Sequence, residues 1–479
     1  MTAITDMTAC ALKDAIHARS VSAQEVMRAH LNQIAAENPS CNAIVSLADE
    51  GALLAEAAAQ DELAARGEFA GPLHGFPHAI KDLSPARGFP TSMGSPLFAG
   101  TMAQKDGLAV SRVREAGAII IGKTNAPEFG FGSNTVNPVF GATRNPYDLD
   151  RSAGGSSGGA AVALATRMTP LADGSDFGGS LRNPAGWNNV FGFRPTSGRV
   201  PKDPGEDVFF SQLGYEGPMA RTIDDLALLL SVQAGYDPRH PLSLRDDPAA
   251  FAHPGERDCR DLKVGWLGDM GGSLPMEDGV LDVCRHALAA FETTGARVEE
   301  VDFPLSEPEI WNTWLALRHW GVGNAVRPLY DDPSKRKLLA PHVVWEIEGS
   351  IRQTGRDIHE AGVARTKLYR AFASLFERFD VLALPTAQLF PYSLEKMWPE
   401  AIAGVAMDTY HRWMEVTFAV SLSGCPALAV PAGFGGARNL PMGLQLVAPY
   451  HHDLDLLRIG RAYERVAEWT AIRPDRKGA

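Results

Sequence analysis

Gly154-Gly155-Ser156-Ser157-Gly158-Gly159 and, a short way downstream, Asp176-Phe177-Gly178-Gly179-Ser180 are the stretches that decide how this chain is read. Glycine lets a backbone approach a ligand closely and adopt positive φ. Successive N–H groups in such a run can form an anion-binding concavity. A serine closing a glycine nest can attack a carbonyl while the nest holds the resulting oxyanion. The amides of Phe177, Gly178 and Gly179 can converge on one oxygen beside Ser180. The pattern therefore points to acyl transfer, and the open questions are which serine attacks and what takes its proton.

Two other readings of these glycines weaken on their surroundings. Gly155-Ser156-Ser157-Gly158-Gly159 fits G-x-S-x-G around Ser157, but a nucleophile elbow needs a buried strand in front of it. The residues there, Pro146 to Ala153, are polar and turn-like. Ser157 reads instead as a structural hydroxyl, capping the helix that follows or bonding the nest. Gly117-Ala118-Ile119-Ile120-Ile121-Gly122-Lys123-Thr124 matches the P-loop expression letter for letter, yet its interior is an apolar strand rather than a phosphate loop.

Histidine is the first residue to consider as a base, but none lies between Ala79 and Pro238. Lys81 follows the apolar run Phe76–Ile80, which draws it into the interior. A buried lysine without a carboxylate partner has a depressed pKa and can serve as a neutral base. Asp82 is the hazard in that reading, because a carboxylate facing Lys81 would raise its pKa.

The chain has 479 residues, 45% of them hydrophobic and 21% charged, an ordinary globular composition. A net charge of −12 argues against a nucleic-acid backbone or an anionic membrane as the main partner. Five scattered cysteines with no CxxC or Cys/His spacing predict neither a disulfide framework nor a metal site. The first residues lack the basic and apolar regions of a signal peptide, and no apolar run reaches membrane-spanning length. A cytoplasmic setting is expected. Residues 8–66 read as helical, with a capping box at Ser22-Ala23-Gln24-Glu25 and apolar helical spacing through Met27, Leu31 and Ile34. Beyond them, apolar strands at 118–122, 264–267, 296–301, 381–385, 427–431 and 444–447 alternate with helices at 106–116, 159–167, 222–234, 277–293 and 454–468. That alternation predicts an α/β architecture around a largely buried sheet.

Lys81, the Gly154–Gly159 run and the Gly174–Pro184 run closely resemble the amidase signature family. Glu128-Phe129-Gly130, Gly141 to Pro146, Gly192-Phe193-Arg194-Pro195-Thr196 and Leu440 to Leu446 look like further landmarks of the same family, in the same order. The resemblance implies one domain over residues 1–479: an N-terminal helical region (1–66), a catalytic core (67–200) and the rest of the sheet with pocket helices (260–479). It implies a mixed, twisted central sheet of about eleven strands covered by helices on both faces. It further implies a Ser–Ser–Lys triad of Ser180 as nucleophile, Ser156 as bridge after a cis peptide bond, and Lys81 as base. Asp82 would point away from Lys81 into structural hydrogen bonds. Asp176 and Arg182 would hold the nest through an ion pair, and Ser133 is either a contact of the Lys/Ser network or a turn hydroxyl.

The implied reaction is hydrolysis of a carboxamide C–N bond in a small-molecule substrate, with no cofactor and no metal, and relatives make a homodimer the expected assembly. Where the tRNA-amidotransferase branch of the family carries Gln, this chain has Asn183, which disfavours that branch. Aromatic residues in the second half suggest a wide apolar pocket on a small hydrophobic, aryl or ω-amino-acid amide. The candidate lining is Phe131, Asn134, Trp187, Trp314, His319 and Trp413, although the i, i+3 spacing of Trp311 and Trp314 equally fits a core stripe.

Overall fold

Residues 3–203 and 207–475 are described in a computed structural model of the chain. The N-terminal helices begin where capping chemistry places them. Ser22 Oγ accepts the Glu25 N–H at 3.1 Å while Glu25 returns a carboxylate to the Ser22 N–H at 2.8 Å, and helix Ala23–Cys41 follows. Its buried stripe of Val26, Met27, Leu31 and Ile34 packs on the body of the protein. The region to residue 66 is not wholly helical: the short strand Ile44–Val45 separates this helix from Glu50–Ala65.

The central sheet has eight strands, in the order Arg297–Glu300, Lys263–Trp266, Val381–Pro385, Leu440–Val447, Ala427–Gly435, Phe191–Arg194, Tyr215–Ala220 and Ala172–Asp176. The first three run parallel and every later neighbour pairs antiparallel, so the sheet is mixed. Its middle strands are buried along their length, which is why Val381–Pro385 and Leu440–Val447 read as apolar runs rather than alternations. Helices including Ile223–Gln233, Val280–Glu292 and Asp453–Glu464 cover it.

Eleven strands in one sheet is where the expectation needs correction. Ile44–Val45, Ile119–Thr124 and Pro77–Lys81 form a separate three-stranded sheet. At the seam, a side chain takes the place of a backbone ladder. Asp173, on edge strand Ala172–Asp176, accepts the Lys81 N–H through Oδ2 at 3.2 Å and meets His78 Nε2 through Oδ1, also at 3.2 Å. Lys81 is the last residue of its strand, so the seam passes directly beneath it. Helix Gly158–Ala165, with every residue buried, packs on residues of both sheets. Its small side chains make this possible: a Cβ at Gly159 would sit 2.4 Å from the Asn125 nitrogen.

Candidate active site

Lys81 is the buried centre of a cluster of hydroxyls. Its Nζ lies 2.8 Å from Ser156 Oγ, 2.8 Å from Ser157 Oγ and 3.0 Å from Ser175 Oγ, with the Ser175 carbonyl at 3.3 Å. A neutral amine in this position can donate two N–H bonds and offer its lone pair to a third hydroxyl. Burial pushes its pKa down to about 7, while the carboxylates of Asp173, Asp176 and Glu216 act in the opposite sense. Asp82 points away, taking hydrogen bonds from the Ser92 amide and hydroxyl and lying 3.7 Å from Lys123 Nζ.

Ser156 follows a cis Gly155–Ser156 peptide bond. The turn before it is held from outside: Thr135 gives both its N–H (3.1 Å) and its hydroxyl (2.8 Å) to the Gly154 carbonyl, and Ser133 Oγ donates to the Gly155 carbonyl at 2.7 Å. Gly154 has φ +71°, and a Cβ there would stand 2.5 Å from Asn183 Oδ1. Ser133 thus touches the peptide next to Ser156 rather than a hydroxyl of the cluster. Of the two structural readings of Ser157, the helix cap does not form. The residue occupies the N-cap position of helix Gly158–Ala165 but makes no side-chain cap; its hydroxyl turns to Lys81 Nζ and the Ser175 backbone.

Ser180 stands at the end of the second nest, 6% exposed, and its hydroxyl makes no hydrogen bond among the described residues. The loop carrying it winds around one carboxylate. Asp176 accepts the Gly179 N–H at 2.8 Å and the Leu181 N–H at 3.1 Å, a fork from Arg182 at 3.0 Å on each arm, and Arg194 Nη1 at 3.1 Å. All three charged side chains are buried, and the two guanidinium groups hold the Asp176 carboxyl well below the usual range despite its burial. The Gly179 N–H is therefore committed to Asp176, leaving Phe177 and Gly178 as the nest amides open to a ligand. Thr417 Oγ1 fixes the Gly178 carbonyl at 2.9 Å from the far side.

The aromatic candidates divide. Phe131, Asn134 and Trp413 line a narrow cleft with Ser133, His342 and Tyr410. Trp314 is fully buried behind the nest, stacked on Phe418 at 3.8 Å and edge-on to Phe177 at 5.7 Å, so it serves as a wall. His319 meets Glu346 Oε2 at 2.8 Å. Trp187 does not belong to the pocket: it is wholly buried, gives its indole N–H to the Leu389 carbonyl at 3.1 Å and stacks on Trp413 from the core side.

This architecture is shared widely. The family model Amidase matches residues 25–457. The chain belongs to the amidase signature family. An acylamidase of Rhodococcus erythropolis is 34% identical over 471 residues, covering 98% of this chain and 97% of that protein. The A-type subunit of a glutamyl-tRNA(Gln) amidotransferase from Acidothermus cellulolyticus is 36% identical, with 95% and 94% covered. Among solved structures, a bacterial aryl acylamidase of the amidase signature enzymes superimposes with a TM-score of 0.89 at 30% identity, with 97% of each chain covered. Family membership makes this chain an amide-hydrolysing enzyme of α/β fold. No helix among the described residues is long and apolar enough to cross a membrane.

For this amidase signature member, sequence reasoning assigned no role to Asp173 and Ser175, which bond Lys81, to His78, which bonds Asp173, or to Glu216, whose charge acts on the Lys81 amine. One signal was available: Asp173 and Ser175 put polar side chains at alternate positions of a strand that runs into the nest.

Proposed function

We propose that the protein hydrolyses a small aryl or otherwise hydrophobic carboxamide through Ser180, Ser156 and Lys81. The observation that carries this reading is the Lys81 amine, buried, lowered to about 7 and 2.8 Å from Ser156 Oγ. Near neutrality, a group with that pKa is poised to accept a proton and return it. Neutral Lys81 takes the Ser156 proton as Ser156 takes that of Ser180. Ser180 Oγ adds to the amide carbonyl, and the Phe177 and Gly178 amides receive the oxyanion. The proton passes back through Ser156 to the leaving amine as the C–N bond breaks, leaving a Ser180 ester. Water attacks that ester by the same relay, releasing the acid and restoring Ser180. No hydrogen bond joins Ser156 Oγ to Ser180 Oγ in the free enzyme, so substrate binding closes that link, a common behaviour of catalytic hydrogen bonds.

The test combines an active-site phosphonate with turnover. A fluorophosphonate is expected to add one adduct to the intact protein, mapped to Ser180 by mass spectrometry, and Ser180→Ala is expected to lose both the label and hydrolysis of anilides. Labelling elsewhere, or full turnover by S180A, would refute the assignment. The amidotransferase relatives favour a second reading, in which the chain frees ammonia from glutamine for a partner. Ammonia release from glutamine exceeding that from every aryl amide in a small panel would select it.

A further inference from the structure

A buried ionic cluster sits beside the two serine loops and takes no part in the proton relay. Arg318 ends helix Glu307–Arg318 and is 5% exposed. Its Nε donates to Glu346 Oε1 at 2.5 Å and its Nη2 to Tyr410 Oη at 2.5 Å; Tyr410 Oη in turn donates to Glu346 Oε1 at 2.6 Å. Around the guanidinium stand four rings, with centroids 5.3 Å (Phe131), 5.4 Å (Phe177), 5.6 Å (Trp314) and 5.7 Å (Tyr410) from Cζ. Two of those rings locate the group. Phe177 begins the nest that ends at Ser180, and Phe131 follows Gly130, where an added Cβ would lie 3.5 Å from Ser156 Oγ. The cation is therefore flanked by side chains from both serine-bearing surroundings.

Two donors in this cluster are unspent. Arg318 Nη1 makes no hydrogen bond among the described residues and is not sealed from solvent. The Trp314 indole Nε1 is buried with no partner among the described residues. A buried polar group without a partner is costly, and unspent donors beside a reaction centre are what a bound acceptor would satisfy. Charge decides the kind of acceptor. Glu346 already neutralises Arg318, and burial keeps His342 and His411 uncharged, His342 with its pKa pushed down to about 4. A substrate carboxylate would bring a second anion beside the buried Glu346 carboxylate, whereas an uncharged oxygen needs only the free N–H.

We propose that Arg318 is a specificity-determining residue whose Nη1–H receives an uncharged carbonyl oxygen of the substrate, distinct from the scissile one, between the faces of Phe131 and Phe177. This rests on the reading of Ser180 as nucleophile and names the substrate class more closely: flat, aryl amides bearing a second carbonyl.

The experiment uses matched anilides in which a 4-acetyl group is replaced by 4-isopropyl or by 4-carboxylate, placed in one series on the acyl ring and in another on the amine ring. The wild-type enzyme is expected to show kcat/KM at least about 10-fold higher for acetyl than for isopropyl in one series, with carboxylate no better than isopropyl. Arg318→Met combined with Glu346→Gln removes both charges together, so neither is left buried alone, and is expected to shrink the acetyl preference to within about 2-fold. Arg318→Lys, which keeps the charge but not the free fork nitrogen, is expected to lose the preference as well. Equal wild-type rates for acetyl and isopropyl in both series, a carboxylate preference, or an acetyl preference that survives in the variants would overturn the proposal. Fluorophosphonate labelling of the wild type separates the two readings: a labelled enzyme with no acetyl preference refutes only the role of Arg318, and an unlabelled one refutes the Ser180 reading beneath it.

Discussion

Replacing Asp173 with Asn should move the acid limb of the pH–rate profile downward. Asp173 is the strongest of the carboxylates that raise the Lys81 pKa against its burial; Asp176 and Glu216 are the others, and the Asp82 carboxylate lies toward Lys123 instead. The Asn side chain is isosteric. Its oxygen can keep the Lys81 N–H, and its amide can meet His78 Nε2, so the seam between the sheets survives while the charge is removed. At an effective dielectric of about 20, a unit charge that faces the amine without touching it is worth on the order of 2 kcal/mol, and each pKa unit corresponds to about 1.4 kcal/mol. The Lys81 pKa should therefore fall from about 7 by roughly one unit or slightly more. The sign follows from which form works: the neutral amine is active, a lower pKa keeps it neutral to lower pH, and the limb shifts to more acid values. At pH 6 the wild-type enzyme retains about a tenth of its plateau and D173N about half, a relative gain of about fivefold. Continuous anilide hydrolysis, with kcat/KM measured from about pH 5 to 9 and each profile normalised to its own plateau, reads this directly. A limb that stays in place or rises in D173N refutes the electrostatic coupling; a wild-type limb near the ordinary lysine range refutes the neutral-base reading itself.

Two more outcomes test the same construction. Lys81→Met should raise thermal stability near pH 7, because the native state holds the amine at about 7 while the unfolded chain restores the ordinary value of 10.5. The native state binds fewer protons between those values, so wild-type stability rises with pH across that window by up to about 1.4 kcal/mol per unit, and the advantage of K81M should narrow from about pH 7 to 10. Denaturant unfolding at several pH values measures it, and a constant difference would contradict the depressed pKa. Gly178→Ala should cut kcat on the order of 100-fold, since the new Cβ would lie 2.4 Å from Trp314 Cη2 and must displace an amide assigned to the oxyanion. Trp314→Phe in the same chain should restore part of that loss by making room; no restoration would place the defect elsewhere.

The residues that were legible in the sequence are those whose roles are set locally. The capping box at Ser22 and Glu25, the buried strands around Val381 and Leu444, and the turn around Asp176 each follow from a few adjacent residues, and each forms where its chemistry predicts. What escaped depends on chain segments far apart. Ser157 looks like a helix cap when read with its neighbours, yet Lys81, from another strand, claims its hydroxyl. Trp187 follows the nest and reads like a pocket residue, but the carbonyl of Leu389 and the ring of Trp413 hold it in the core. The division of eleven strands into two sheets is equally unreadable, because it turns on one aspartate side chain standing where a ladder hydrogen bond would otherwise run.

That division bears on how a lysine can act as a base here. In a continuous sheet the Lys81 N–H would be bonded to a neutral carbonyl, and only the weaker influence of Asp176 and Glu216 would oppose the effect of burial on the amine beyond it. With Asp173 at the seam, the same backbone hydrogen bond brings a carboxylate to the base, while the side-chain amine itself meets only hydroxyls and one carbonyl. Burial pulls the pKa down and the carboxylate restrains the fall, so the two opposing effects leave it near 7 rather than at either extreme. A base much weaker than this would remove the Ser156 proton poorly, and a stronger one would stay protonated at neutral pH. The fold thus sets the chemistry through the point at which its two sheets meet, and D173N changes that point without moving the backbone.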